Sequence, residues 1–162
     1  MGLDLGQSQD YTALCVAERV DVPTGKARYH LRHLERFRLG TSYPAVVERV
    51  GEMLAGPPLW GCSQLVVDGT GVGAPVVDMF RQKGLVPIAI TITGGDTVTG
   101  DGGNYRVPKR HLVSTMQVLL QAGLLKVAEE LPDATVLVQE LLNFRVKIDP
   151  LTAHDSYGAW RE

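Results

Sequence analysis

The sequence predicts a mixed α/β domain: an antiparallel meander of three strands feeding a parallel core, with helices flanking the sheet. Three observations carry this expectation. Three β-rich runs follow one another within residues 2–39, broken by turn residues and not by a helical repeat. Residues 64–92 then read strand, helix, strand, the pattern of a right-handed crossover between parallel neighbours. Helical hydrophobic repeats recur between the later strand-like runs.

Taken in order, Gly2 to Gly6 reads as a short buried strand, and Gln7-Ser8-Gln9-Asp10 as a polar turn. Tyr11 to Val20 resumes as a β-rich run, Asp21 to Lys26 turns with Pro23 and Gly25, and Arg28 to Leu39 forms the third strand. Ser42 is placed to cap a helix from Pro44 to Leu54, where Val46, Val47, Val50 and Leu54 recur at helical spacing. Gly56-Pro57-Pro58 ends it. Gln64 to Asp68 is an almost unbroken apolar strand, suited to the middle of a sheet. A glycine turn, Gly69 to Gly73, leads to a helix over Pro75 to Lys83, closed by Gly84, and then to a strand over Leu85 to Ile92.

Gly94 to Tyr105 holds five glycines and two aspartates in twelve residues, which predicts a mobile surface loop. Pro108 opens a helix to Ala122, with Leu112, Val113, Met116, Leu119 and Leu120 as its expected core stripe and Gly123 at its end. Leu124 to Ala128 is a short strand or connector, and Pro132 to Leu142 a further helix. Phe144 to Asp149 alternates apolar and charged residues, and Ser156 to Trp160 is placed to pair back on it.

The bulk composition narrows the classes. A chain of 162 residues suits a single domain, and 44% hydrophobic with 21% charged residues argues against disorder. No apolar run approaches the roughly 20 residues of a membrane span, so no membrane partner is expected. Cys15 and Cys62 fit free thiols better than a disulfide framework or a zinc site. A net charge of −2 gives no global attraction for nucleic acid, so such binding must come from a local patch. The first strand starts at the first residue and the sequence stops just past a strand-like run, so both ends are expected to continue into a longer protein.

Two acids stand out against this background. Asp4 lies between Leu3 and Leu5, on the opposite face of the first strand, and Asp68 stands where the fourth strand stops. An acid within an apolar strand costs free energy unless a cation or hydrogen bonds compensate. If the two strands are neighbours, both carboxylates meet at one end of the sheet, where parallel α/β folds bind ligands. Hard oxygen donors without clustered His or Cys select magnesium or manganese over zinc. Two such ions would serve in-line phosphodiester displacement. The plainer alternatives are an Asx turn or cap at Asp4 and an ordinary Asp-Gly turn at Asp68. Asp10 reads as a turn residue.

Two basic groups could meet phosphates: Arg106, Lys109 and Arg110 beside the glycine-rich segment, and Arg145 with Lys147 on one strand face. For each group alone, a solvated surface is the simpler account. His30 and His33, three apart on a strand, fall on opposite faces and make poor co-ligands.

The blocks Gly2-Leu3-Asp4-Leu5-Gly6-Gln7-Ser8-Gln9-Asp10-Tyr11-Thr12-Ala13-Leu14, Val67-Asp68-Gly69-Thr70-Gly71-Val72-Gly73, Val107-Pro108-Lys109-Arg110 and Glu140-Leu141-Leu142-Asn143-Phe144 resemble the C-terminal nuclease domain of phage and prophage terminase large subunits. The first two blocks are the specific ones. The strand order, with one acid in the first strand and one ending the fourth, matches the ribonuclease H-like plan of that family. The resemblance implies a metal-dependent endonuclease that cuts concatemeric double-stranded DNA during genome packaging, with Asp4 and Asp68 as its first two metal-binding acids and Mg2+ or Mn2+ as cofactor, two ions in the complete domain. It also implies a preceding ATPase motor domain, contacts with the small terminase subunit and portal, and a bacterial host cytoplasm as its location. In similar terminases the third acid opens a final apolar helix. Here His154-Asp155 is followed by Ser-Tyr-Gly-Ala-Trp-Arg-Glu, so the resemblance implies that this helix lies beyond Glu162 and leaves Asp155 as the available substitute.

Three other readings fit parts of the sequence. A non-catalytic DNA- or motor-docking module would keep the fold without the chemistry. A Holliday-junction-resolvase-like nuclease shares the fold. A nucleotide-binding domain of the actin and sugar-kinase superfamily shares the Asp-Leu-Gly signature, and Asp68-Gly69-Thr70-Gly71 resembles its second phosphate loop. Such domains need two lobes around the nucleotide, and this chain has residues for one.

Overall fold

A computed structural model describes residues 1–6, 9–23, 25–148 and 155–159. Ten strands and four helices are described, in the order β1 (Gly2–Asp4), β2 (Ala13–Val20), β3 (Arg28–Arg36), α1 (Tyr43–Ala55), β4 (Val66–Asp68), α2 (Gly73–Gln82), β5 (Ile88–Thr93), β6 (Thr99–Asp101), β7 (Asn104–Pro108), α3 (Lys109–Gln121), β8 (Leu125–Val127), α4 (Ala134–Asn143), β9 (Phe144–Ile148) and β10 (Asp155–Ala159). Eight strands form one mixed sheet in the order β6-β7-β5-β4-β1-β2-β3-β8, and β9 pairs with β10 in a separate two-stranded ribbon. The architecture is the mixed α/β class expected, and it is consistent with a ribonuclease H-like fold.

The meander is present: β1 runs antiparallel to β2, and β2 antiparallel to β3. On its other side β1 lies parallel to β4, which lies parallel to β5, and the helix between those two makes the expected crossover unit. Alternation along these strands sorts the two faces of the sheet. Leu3 stands opposite Leu14 on one side and Val67 on the other, and all three are buried. Val46, Val47 and Val50 of α1 and Val76, Val77 and Phe80 of α2 join them in one core cluster. These positions recur at helical spacing because one stripe of each helix faces the sheet.

Ser42 caps α1 as the sequence predicts, its hydroxyl accepting from the Ala45 amide at 3.4 Å. Two ion pairs hold α1 from outside: Arg49 with Glu35 of β3 at 3.2 Å, and Glu48 with Lys83 just past α2. Both are solvent-accessible, so they contribute orientation more than stability. The opposite sheet face, carrying Cys15, Val66, Ile88 and Ile90, is only half-buried.

Two expectations are corrected. The segment Gly94 to Tyr105, expected to be a mobile loop, contains a β-hairpin: β6 pairs antiparallel with β7, and β7 adds parallel to the edge of β5. Its glycines build the turn, with Gly102 at φ +53° and Gly103 at φ +86°, a region where a side chain would clash. The unpaired edge of β5 supplies the template that glycine content alone conceals. The expected core stripe of α3 is also not buried: Leu112, Met116 and Leu120 keep 37%, 40% and 42% of their surface exposed. Periodicity reports which residues share a helix face; it does not report whether anything covers it. The remaining strands fall where expected, with Leu125–Val127 parallel to β3 and Asp155–Ala159 antiparallel to β9.

Phe80 has no exposed surface and joins α2 to the sheet. Truncation to Ala should cost about 3–5 kcal/mol, against less than about 0.5 kcal/mol for Leu142→Ala on an exposed position of α4. Urea unfolding of both variants checks the contrast.

Candidate metal centre

Strand β1 is three residues long and central, so the face to which Asp4 points is fixed by its neighbours. Leu3 pairs with Val67 in the parallel ladder, and the next residue on each strand is an aspartate. Asp4 and Asp68 therefore end adjacent parallel strands, on the face away from α1 and α2. The register brings together the two acids that the sequence singles out.

Each carboxylate has a local hydrogen bond that orients it. The Leu5 amide donates to Asp4. The Thr70 amide donates to Asp68 Oδ1 at 2.8 Å, so the Asp-Gly turn is an Asx turn, and the second oxygen of Asp68 has no hydrogen-bond partner among the described residues. The turn itself is pinned to β5: the Gly69 amide donates to the Ile90 carbonyl at 2.8 Å, and the Ile92 amide donates to Thr70 Oγ1 at 2.9 Å. Gly73 then starts α2 hard against the strand end. A Cβ there would stand 1.9 Å from the Asp68 carbonyl oxygen, so only glycine permits the approach.

The segment after Asp4 is clamped in a similar way. The buried Thr12 hydroxyl accepts from the Gly6 amide at 3.1 Å, and the Tyr43 hydroxyl of α1 donates to the Gly6 carbonyl at 3.1 Å. Next to it the Arg36 guanidinium lies over the Tyr11 ring, 4.6 Å from its centroid, and pairs with Asp133 at 3.1 Å. Thr12, Tyr43 and Gly73 are positioning residues that the sequence reading did not identify. A lone polar residue opening an apolar strand, and the last glycine of a Gly-x-Gly turn, were the available signals.

Desolvation by the surrounding strand ends pushes the Asp4 carboxyl above its ordinary value, the nearby Asp68 charge adds to the rise, the Leu5 hydrogen bond opposes it, and the Asp10 charge adds again. The side chain nonetheless keeps contact with solvent. Asp10, expected to serve only as a turn residue, thus lies close enough to act on Asp4. Two like-charged oxygen donors held together with open coordination positions fit a hard divalent cation, which would relieve their repulsion. Among the described residues no group of three or more His, Cys, Asp or Glu side chains is arranged to hold a metal ion.

The other sequence-selected residues lie elsewhere. Arg106 sits on β7 opposite Thr91, one step past the Asp68–Ile90–Tyr105 row, and so on the α2 side of the sheet. Arg110 pairs with Asp96 at 2.7 Å, and Lys109 begins α3. Arg145 and Lys147 are two apart on β9, opposite Gly158 and Ser156; their side chains, like that of Asp155, lie outside the described part. His154 lies outside the described residues. No described helix is long and apolar enough to cross a membrane.

Residues 1–155 match the family described as the terminase RNaseH-like domain. Neither a curated protein nor a solved structure matches the chain.

Two predictions follow from the geometry. Gly73→Ala should force the α2 start away from Asp68, costing about 1–3 kcal/mol in thermal unfolding. Asp4 is held above its ordinary pKa, so the fold loses stability as pH rises from the ordinary carboxylate range through the raised value. Asp4→Asn should therefore be more stable than wild type at pH 7 in EDTA, with the advantage shrinking toward about pH 4. Melting curves at the two pH values check it, and an Asn variant that melts lower at pH 7 contradicts the assignment.

Proposed function

The chain belongs to the terminase RNaseH-like domain family, and on that footing we propose that it is the metal-dependent endonuclease domain of a DNA-packaging terminase, hydrolysing phosphodiester bonds of concatemeric double-stranded DNA. The observation that carries this reading is the register that ends β1 and β4 with Asp4 and Asp68 side by side. Domains of the ribonuclease H-like class generally use divalent metals. Here Asp4 and Asp68 would hold the cation, Mg2+ or Mn2+, with two ions expected. A divalent ion in such a site activates water and steadies the leaving oxygen of a phosphodiester.

The chain's own contribution is orientation and charge. The Leu5 and Thr70 amides each satisfy one carboxylate and restrict how it can turn. Gly73 and the Thr12–Tyr43 clamp fix the strand ends from which both acids project. Asp10 adds negative charge beside Asp4 and favours cation entry. DNA phosphates would be met by Lys109 and Arg110, and by Arg145 and Lys147 of β9; Arg106, expected to join them, stands on the α2 side of the sheet, away from the two acids. The Arg110–Asp96 pair is exposed, so it can exchange its carboxylate for a phosphate at small cost. An ATPase motor domain of the same large subunit, the small subunit and the portal are the partners this role requires, in the cytoplasm of a bacterial host.

A second reading, a DNA- or motor-docking module without catalysis, is favoured by one observation: the described residues supply no group of three acids for a metal. Nicking of supercoiled plasmid in Mn2+ separates the two. The nuclease reading predicts nicking that EDTA abolishes and that Asp4→Asn or Asp68→Asn lowers about 100-fold. Nicking that survives either substitution contradicts it. DNA binding indifferent to metal, with no nicking by the wild type, supports the docking module instead.

A further inference from the structure

A cleft on the other side of the sheet from the two aspartates opens between α2 and the β6–β7 hairpin. It encloses about 480 Å3, within the roughly 300–1,000 Å3 range of small-molecule sites. Gly69, Asp78, Arg81, Gly100, Asn104 and Arg106 are among its lining residues. Its charges are two guanidiniums and one carboxylate, a net positive balance in a chain whose overall charge is −2.

The two arginines differ in how they are held. Arg81 is fixed in place: Nη2 donates to Asn104 Oδ1 at 2.7 Å, and Nη1 to Asp78 Oδ1 at 3.2 Å. Arg106 makes no ion pair or side-chain hydrogen bond among the described residues, although it lines the same cleft. A guanidinium held by neighbours and a second one with its donors unspent line one cleft, a pair of groups suited to phosphate oxygens because guanidinium donors match phosphate geometry. Ala74, Val77 and Ala89 also line the cleft, so an occupant with both a charged and an apolar part fits better than a purely apolar one, which would desolvate the open Arg106 without a partner.

We propose that the cleft between α2 and the β6–β7 hairpin binds a nucleotide phosphate through Arg81 and Arg106. The phosphate belongs either to a free nucleotide or to the end of a DNA strand; the chemistry recognised is the same, and the volume suits about one nucleotide better than a duplex. Gly69 links the two sites, because the turn that orients Asp68 also forms part of the cleft wall. The inference does not require a metal at Asp4 and Asp68.

The test is an amide NMR titration in EDTA, so that failure of the metal site leaves it unaffected. The probes are inorganic phosphate, a deoxynucleoside monophosphate, and a short single-stranded oligonucleotide with and without a 5′-phosphate. Saturable shifts at Gly69, Gly100 and Asn104 to Arg106 are expected, with affinity falling about tenfold in Arg106→Ala and in Arg81→Ala. Asp78→Asn removes the acid that lines the cleft while Asn104 still holds Arg81, and it should tighten binding about threefold. A monophosphate that binds as well as the phosphorylated strand identifies a free-nucleotide site; a preference for the phosphorylated strand identifies a strand-end site. Absence of shifts at these residues, or binding that neither arginine substitution weakens, overturns the proposal.

Discussion

The structure depends on one pairing, the parallel register of β1 against β4. Leu3 beside Val67 is a hydrophobic contact that the core enforces, since both residues are buried under α1 and α2. Because side chains alternate, burying that pair on one face commits the next residues, Asp4 and Asp68, to the other. A slip of one residue would bring aspartate into the apolar core, at a cost of several kcal/mol. Core packing on one face thus sets carboxylate geometry on the other.

That arrangement explains features with no other evident use. Burial of the Asp4 carboxylate at the strand ends, with repulsion from Asp68 adding to it, is unfavourable to the fold, and the rise in the Asp4 pKa is its signature. The strand ends tolerate it because they are braced independently, by the Asp68 Asx turn, by the close approach at Gly73 and by the hydrogen bonds from Gly6 and Tyr43. Stability supplied by α1 and α2 holds the two acids together, and a cation bound there as proposed would relax their repulsion.

Much of this was legible in the sequence. The meander, the crossover unit and the neighbouring acids follow from alternation, helical spacing and one aspartate inside an apolar strand. The hairpin at Thr99 to Pro108 was hidden, because its glycines read as a mobile surface loop until the open edge of β5 is seen beside it. The stripe on α3 was legible as a face but not as an uncovered one. Asp10 sits in a segment whose composition says only turn, and Thr12 at the start of a β-rich run; their proximity to Asp4 and Gly6 is a tertiary fact. The sidedness of Arg106 likewise depends on the β5–β7 register, which no local pattern specifies.

The proposed activity requires a cation shared by two side chains that the sheet brings together. A crystal grown in Mn2+ and measured at the manganese absorption edge addresses it without relying on catalysis. The account predicts an anomalous peak about 2.1 Å from a carboxylate oxygen of both Asp4 and Asp68. Peaks elsewhere, with these two carboxylates turned apart and bound only to water, would contradict it.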